Sequence, residues 1–141
     1  MNMKAVSMAS WPRWLAAGVV ALAALPLSGC SGNSQASPVD ATRAREALNI
    51  ALDHWKHGED PKSLASSATP MVAQDFEWTQ GAKLIDYQVV DDKEEGANLR
   101  VQVKLTLSNL GKDRRKPIEK KAWYVVGTSP SLTVFRDIMR R

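Results

Sequence analysis

Leu99-Arg100-Val101-Gln102-Val103-Lys104-Leu105-Thr106-Leu107-Ser108 alternates apolar and polar side chains without a break. Successive side chains of a strand point to opposite faces, so this pattern specifies one buried and one wet face. The apolar side needs a covering layer. Neighbouring segments supply more strands. Residues 84–90 form one before it, with a polar turn at 91–96. Residues 122–126 and 132–136 form two more, joined by the turn Gly127-Thr128-Ser129-Pro130. Short polar connections imply antiparallel neighbours.

The cover lies upstream. Ala41, Ala44, Leu48, Ala51, Leu52 and Trp55 fall on one stripe of a helix turning about 100° per residue. Arg45, Glu46, Asn49, Asp53 and Lys56 fall elsewhere, and Ile50 is off the stripe. The spacing predicts a helix over 41–57, with Asp40 as N-cap and Gly58 as terminator. Asp60-Pro61 opens a short second helix to about Ser67, which Thr69-Pro70 ends. Helices followed by hairpins predict an α+β domain over residues 40–141. In it an N-terminal amphipathic helix, with the short second helix, packs on a roughly four-stranded antiparallel sheet.

The order of elements over 41–137 resembles the cystatin-like and nuclear-transport-factor-like cones. So do Trp78-x-x-Gly81 with Leu84 and Tyr87, Tyr124-x-Val126 and Thr133-x-x-Arg136. The chain also looks like small lipoproteins of bacteria. The cone resemblance implies a helix across the concave face of a curved sheet, a shape that serves enzymes, binders and scaffolds alike.

The N-terminus has a different character. Lys4 and Arg13 precede an apolar stretch at residues 14–25, and Pro26 follows. This is the layout of a secretory signal. A membrane span needs roughly 20 apolar residues, and this stretch has twelve. Leu27-Ser28-Gly29-Cys30 fits general signal-peptidase cleavage less well, and it resembles the lipobox of bacterial lipoproteins, the substrates of signal peptidase II. The resemblance implies removal of residues 1–29 and lipid on Cys30, so that the chain meets the membrane through that lipid. Ser31 stands where an aspartate would resemble an inner-membrane retention signal. That favours the outer membrane in a Gram-negative cell.

Cys30 is the single cysteine, so a lipidated chain has no thiol left for an internal disulfide. Residues 31–39 read as a polar, flexible tether; the eight residues 31–38 reach at most roughly 28 Å. Without residues 1–29 the chain keeps 17 basic and 15 acidic side chains, a net charge of +2. So small an excess, outside the cytoplasm, argues against nucleic acid as a partner.

No convergent catalytic set stands out, and no cofactor or metal is expected. His54 and His57, with Glu59 and Asp60 nearby, have spacing that could begin a metal site. The helical period instead turns both histidines to water. Asp86 and Tyr87 are adjacent on a strand, so they face opposite sides and cannot form the acid–tyrosine pair of a cone enzyme. With Tyr87 inside, Ile85 and Val89 join it. Asp75 and Asp137 stay open as pocket acids, with nothing in the sequence to distinguish them from ordinary polar residues. The run from Lys112 to Lys121 carries six basic and two acidic side chains. It suits anionic headgroups or an acidic partner, but the reading preferred for it is a solvated loop with edge-blunting lysines. Trp55 belongs to the helix stripe. Trp123 and Tyr124 face opposite ways; Tyr124 with Val126 is assigned to the core, which leaves Trp123 as the candidate contact for an envelope partner.

These features favour a membrane-anchored, non-enzymatic binding or scaffold domain. The alternative is a cone-fold pocket or enzyme. Cys30→Ala should leave an unprocessed precursor that takes up no fatty-acid probe; labelling equal to wild type would remove the lipoprotein reading.

Overall fold

A computed structural model describes residues 37–110 and 114–140. The signal segment 1–29, Cys30, most of the tether, and Lys112 and Asp113 of the basic run lie outside these residues.

Helix α1 spans Ala41–Lys56. The Asp40 side chain accepts from the Arg43 amide at 3.0 Å, which satisfies one of the open N–H groups of the first turn. Gly58 ends the helix at φ 78°, a left-handed conformation that costs glycine little. Asp60 caps a 3-10 helix at Pro61–Ser66. Then come strand β1 (Met71–Gln74), the single turn α2 (Phe76–Thr79), β2 (Lys83–Glu95), β3 (Asn98–Ser108), β4 (Ile118–Gly127) and β5 (Leu132–Asp137).

The α+β order and the helix-on-sheet packing are as the sequence predicts. The sheet has five strands in the order β1-β5-β4-β3-β2. Strands β2 to β5 are antiparallel, and β1 adds a parallel edge beside β5. The fifth strand carries little local signal. It is four residues long, and its partner lies about sixty residues downstream.

Leu99, Val101, Val103, Leu105 and Leu107 of β3 are all buried without exposure. They meet Leu48, Leu52 and Trp55 of α1 in a single apolar core. Val39, at the tether's end, already belongs to this core, and its amide donates to the Gly96 carbonyl at 3.3 Å. Trp55 and Trp78 stack at 5.4 Å, and each indole N–H finds a carbonyl, of Ala82 and Glu59 respectively. Buried indoles need such partners.

Two details differ from the sequence reading. Strand β2 runs on to Glu95, so the turn is only Gly96-Ala97. The acidic residues of its second half are drawn into the strand by pairing with β3 and by ion pairs such as Arg45–Asp92 at 2.6 Å. The pairing register also slips between Leu84 and Asp86 and between Val89 and Asp91, which leaves Ile85 and Val90 as bulged residues. Leu84 and Tyr87 therefore both face α1 and Ile85 does not; Val89, opposite Val103, keeps the phase of Tyr87 but is exposed on the edge strand.

Val103 and Gln102 sit side by side on β3 and face opposite ways. Val103→Asp should abolish cooperative folding, since an unpaired buried carboxylate costs several kcal/mol. Gln102→Asp should shift the melting temperature little. Comparable melting curves for the two variants would show that β3 packs by its other face.

Candidate functional site

The structure gathers charge around Asp75, one of the two acids that the sequence leaves open. Asp75 and Glu77 are each only 2% exposed. Both lie at the start of α2, beneath the ends of β4 and β5. Across the sheet Tyr124 and Lys120 project from β4 and Arg136 from β5, on the same face as Val126 and Val134.

Asp75 is fully engaged. Its Oδ1 accepts from the Glu77 and Trp78 amides at 2.8 and 3.2 Å and so caps α2. Its Oδ2 accepts from the Tyr124 hydroxyl at 2.7 Å and from Arg136 Nη1 at 3.0 Å. Four bonds saturate an ionised carboxylate. Glu77 Oε1 pairs with Lys120. Glu77 Oε2 has no hydrogen bond among the described residues and faces Arg136 Nη2 at 3.5 Å. Phe76 lies between the cations, 5.6 Å from Arg136 and 6.0 Å from Lys120. Two acids and two bases thus close a neutral cluster. Removing one member alone would strand a buried charge, at a cost of about 3–5 kcal/mol.

The cluster contains the acid–tyrosine pair that the cone resemblance invites, made by Asp75 and Tyr124. Asp86 and Tyr87 do not form it. Asp86 pairs with Lys56 at 3.0 Å, and the Tyr87 hydroxyl donates to Asp53 at 2.8 Å. Burial pushes the Tyr124 hydroxyl well above its usual range, and the Asp75 charge adds to the effect. Arg136 stays charged against the pull of burial because Tyr124, Asp75 and Glu77 surround it. Beside Asp75 and Tyr124 the space under α1 narrows to about 10 Å³. That volume holds at most about one water.

The histidines separate. His57 is exposed, as expected. His54 is not turned to open water. Its side chain is only 15% exposed, because the loop after α1 folds back over it. His54 Nε2 lies 2.6 Å from Ser63 Oγ and 3.2 Å from Glu59 Oε2. The Ser63 hydroxyl donates its one hydrogen to the Asp60 carbonyl at 2.6 Å. The histidine nitrogen is therefore the donor toward Ser63. A serine–histidine nucleophile needs the reverse, with an acid on the other ring nitrogen. Among the described residues no three His, Cys, Asp or Glu side chains converge as metal ligands.

Trp123 lies on the outer face of the sheet, away from α1, and is half-buried under Arg140, whose guanidinium sits 5.5 Å from the ring centre. Tyr124 is in the core. Asp137, also on the outer face, pairs with Arg100. Of the basic run, Arg114, Arg115 and Lys116 occupy the β3–β4 connection. An open groove of about 950 Å³ runs between the loop after α1 and the start of β2; Lys56, Asp60, Lys62, Trp78 and Lys83 line it. Comparison with known proteins finds no matching family model, no similar curated protein and no similar solved structure.

The tyrosine environment has a measurable sign. Tyr124 holds its proton more tightly folded than unfolded, so its contribution to stability is complete below the ordinary tyrosine pKa of about 10 and is lost as pH rises beyond it. The stability gap between wild type and Tyr124→Phe in urea unfolding should therefore narrow above about pH 10. A gap constant from pH 8 to 11 would mean that the hydroxyl is not held in this network.

Proposed function

We propose that this chain is a lipid-anchored domain of the bacterial cell envelope that works by binding rather than by catalysis. The lipobox resemblance at Leu27-Ser28-Gly29-Cys30 supports the anchor. No helix among the described residues is long and apolar enough to cross a membrane. In this reading the lipid on Cys30 holds the protein there, at the outer membrane if the cell is Gram-negative.

The observation that carries the binding reading is the filled interior. An acid and a tyrosine inside a cone suit proton transfer only if a substrate atom can reach both. Here Arg136 and two backbone amides occupy Asp75, and α1 fills the concave face down to about 10 Å³. Asp75, Glu77, Lys120, Tyr124 and Arg136 act as architecture: they fasten α2 to β4 and β5. The working surface is then the outer face of the sheet, with Trp123 and Phe135 as contacts. The groove of about 950 Å³ supports a second reading, a small-molecule site near Lys62 and Lys83.

Hydroxyl-radical footprinting separates the two. The lipidated chain would be oxidised in native envelopes and, for comparison, in detergent. Phe135 and Trp123 should be protected in envelopes, while exposed His57 reacts equally in both. Protection confined to the groove would favour the small-molecule reading; none at the outer face would remove the proposed surface.

A further inference from the structure

The outer face of the sheet carries apolar side chains that α1 does not cover. Val72 on β1 is 53% exposed and Phe135 on β5 is 37% exposed. Phe135 lies between Gln74 of β1 and Val125 of β4, and Val72 lies beside Thr133. Beyond β5, Ile138 and Met139 are 70% and 89% exposed. Asp137, paired to Arg100, and Arg140, stacked on Trp123, hold this segment against the outer face. Val72 and Phe135, with half-buried Val125 and Trp123, form an apolar patch from β1 to β4, and Ile138 and Met139 are exposed on the bend at its border; such a patch marks a contact surface.

The tether restricts what can cover it. Val39 is bonded to Gly96 beside the β2–β3 turn, and residues 31–38 lie between it and Cys30 in the chain. They span at most roughly 28 Å. Strand β3 alone runs roughly 37 Å from that pole to the far one. The far pole, with the β3–β4 connection, therefore cannot be turned down onto a surface that holds Cys30.

Other surfaces suit a bilayer less well. The near pole carries Asp91 and Glu94 beside the ion-paired Asp92 and Glu95, and anionic headgroups repel such an end. Ile85, Val89 and Val90 on β2 are interleaved with Asp86, Asp91 and Asp92. The outward side of α1 is polar, with Arg45, Glu46, Asn49 and Asp53. The outer sheet face differs. Beside the apolar patch Asp137 is paired with Arg100, Arg140 lies over Trp123 with Glu95 at 3.9 Å, and Lys121 adds a further cation; on the same face Glu119 is paired with Lys104.

We infer that the outer face of the sheet rests on the bilayer to which Cys30 is joined, with Phe135, Ile138 and Met139 at the headgroup–acyl boundary and Arg140 at the level of the phosphates. This rests on the anchor reading above. Apolar side chains backed by cations bind such a boundary. A patch too small to hold a free protein there suffices once a lipid keeps it close, because the second contact becomes intramolecular.

The test uses the lipidated full chain in vesicles of phosphatidylethanolamine and phosphatidylglycerol. Lipid consumes the Cys30 sulfur, so Met139→Cys carries the one free thiol for a nitroxide label; Asn49→Cys, on the polar side of α1, is the control. The label at 139 should favour collision with oxygen over a water-soluble nickel chelate by several-fold relative to the control. Equal accessibility at the two positions overturns the inference. Shielding that appears only in native envelopes and not in pure lipid also overturns it, and puts an envelope protein on this face while the binding reading stands. Mass spectrometry of the mature chain separates the remaining case: absence of lipid on Cys30 removes the anchor reading and the inference with it.

Discussion

The contact between β3 and α1 carries this structure. Five side chains of β3 point into the core with no exposure, and the α1 stripe of Ala44, Leu48, Ala51, Leu52 and Trp55 closes over them. Strands β2 and β4 take their register from β3, and β5 takes its own from β4. A fully buried aliphatic side chain contributes about 1.5–3 kcal/mol. With no cysteine beyond Cys30, this apolar seam is where the stability of the domain must come from.

A second constraint acts at the far end of the core. On β5, Leu132 and Val134 face α1, and the next residue in phase is Arg136. On β4, Lys120 precedes Ala122 and Tyr124 in the same phase. Both cations therefore enter a region that ought to be apolar. Asp75 and Glu77 answer them from α2 and thereby fix where that short turn sits. Such a cluster adds little net stability over an apolar replacement, but it tolerates few alternative arrangements. It fastens the crossing from α1 to the sheet, which the single parallel pairing of β1 with β5 alone would hold weakly.

Strongly periodic elements were legible in the sequence. The stripe and both ends of α1, the whole of β3, and the opposite facing of Trp123 and Tyr124 follow from spacing and capping chemistry. Features set by distant partners were not. Strand β1 shows one brief alternation and pairs only through β5. The bulges at Ile85 and Val90 shift the phase of β2 without any glycine or proline to mark them. The burial of Asp75 and Glu77 did have a signal, in the phase of Arg136 and Lys120: cations at core positions require buried acids. His54 misled because helix geometry describes α1 alone, whereas its cover is the loop carrying Glu59 and Ser63.

Among the described residues strand β2 is the long open edge of the sheet, thirteen residues in all. Unpaired backbone along such an edge invites a strand from a neighbouring molecule. The two bulges cut it into the ladders Lys83–Leu84, Asp86–Val89 and Asp91–Glu95, and no incoming straight strand can follow all three. Asp86, Asp91 and Glu94 place like charges where two such edges would meet. The irregularity of β2 therefore protects against polymerisation: neighbouring copies can crowd together without their sheets fusing into a fibre.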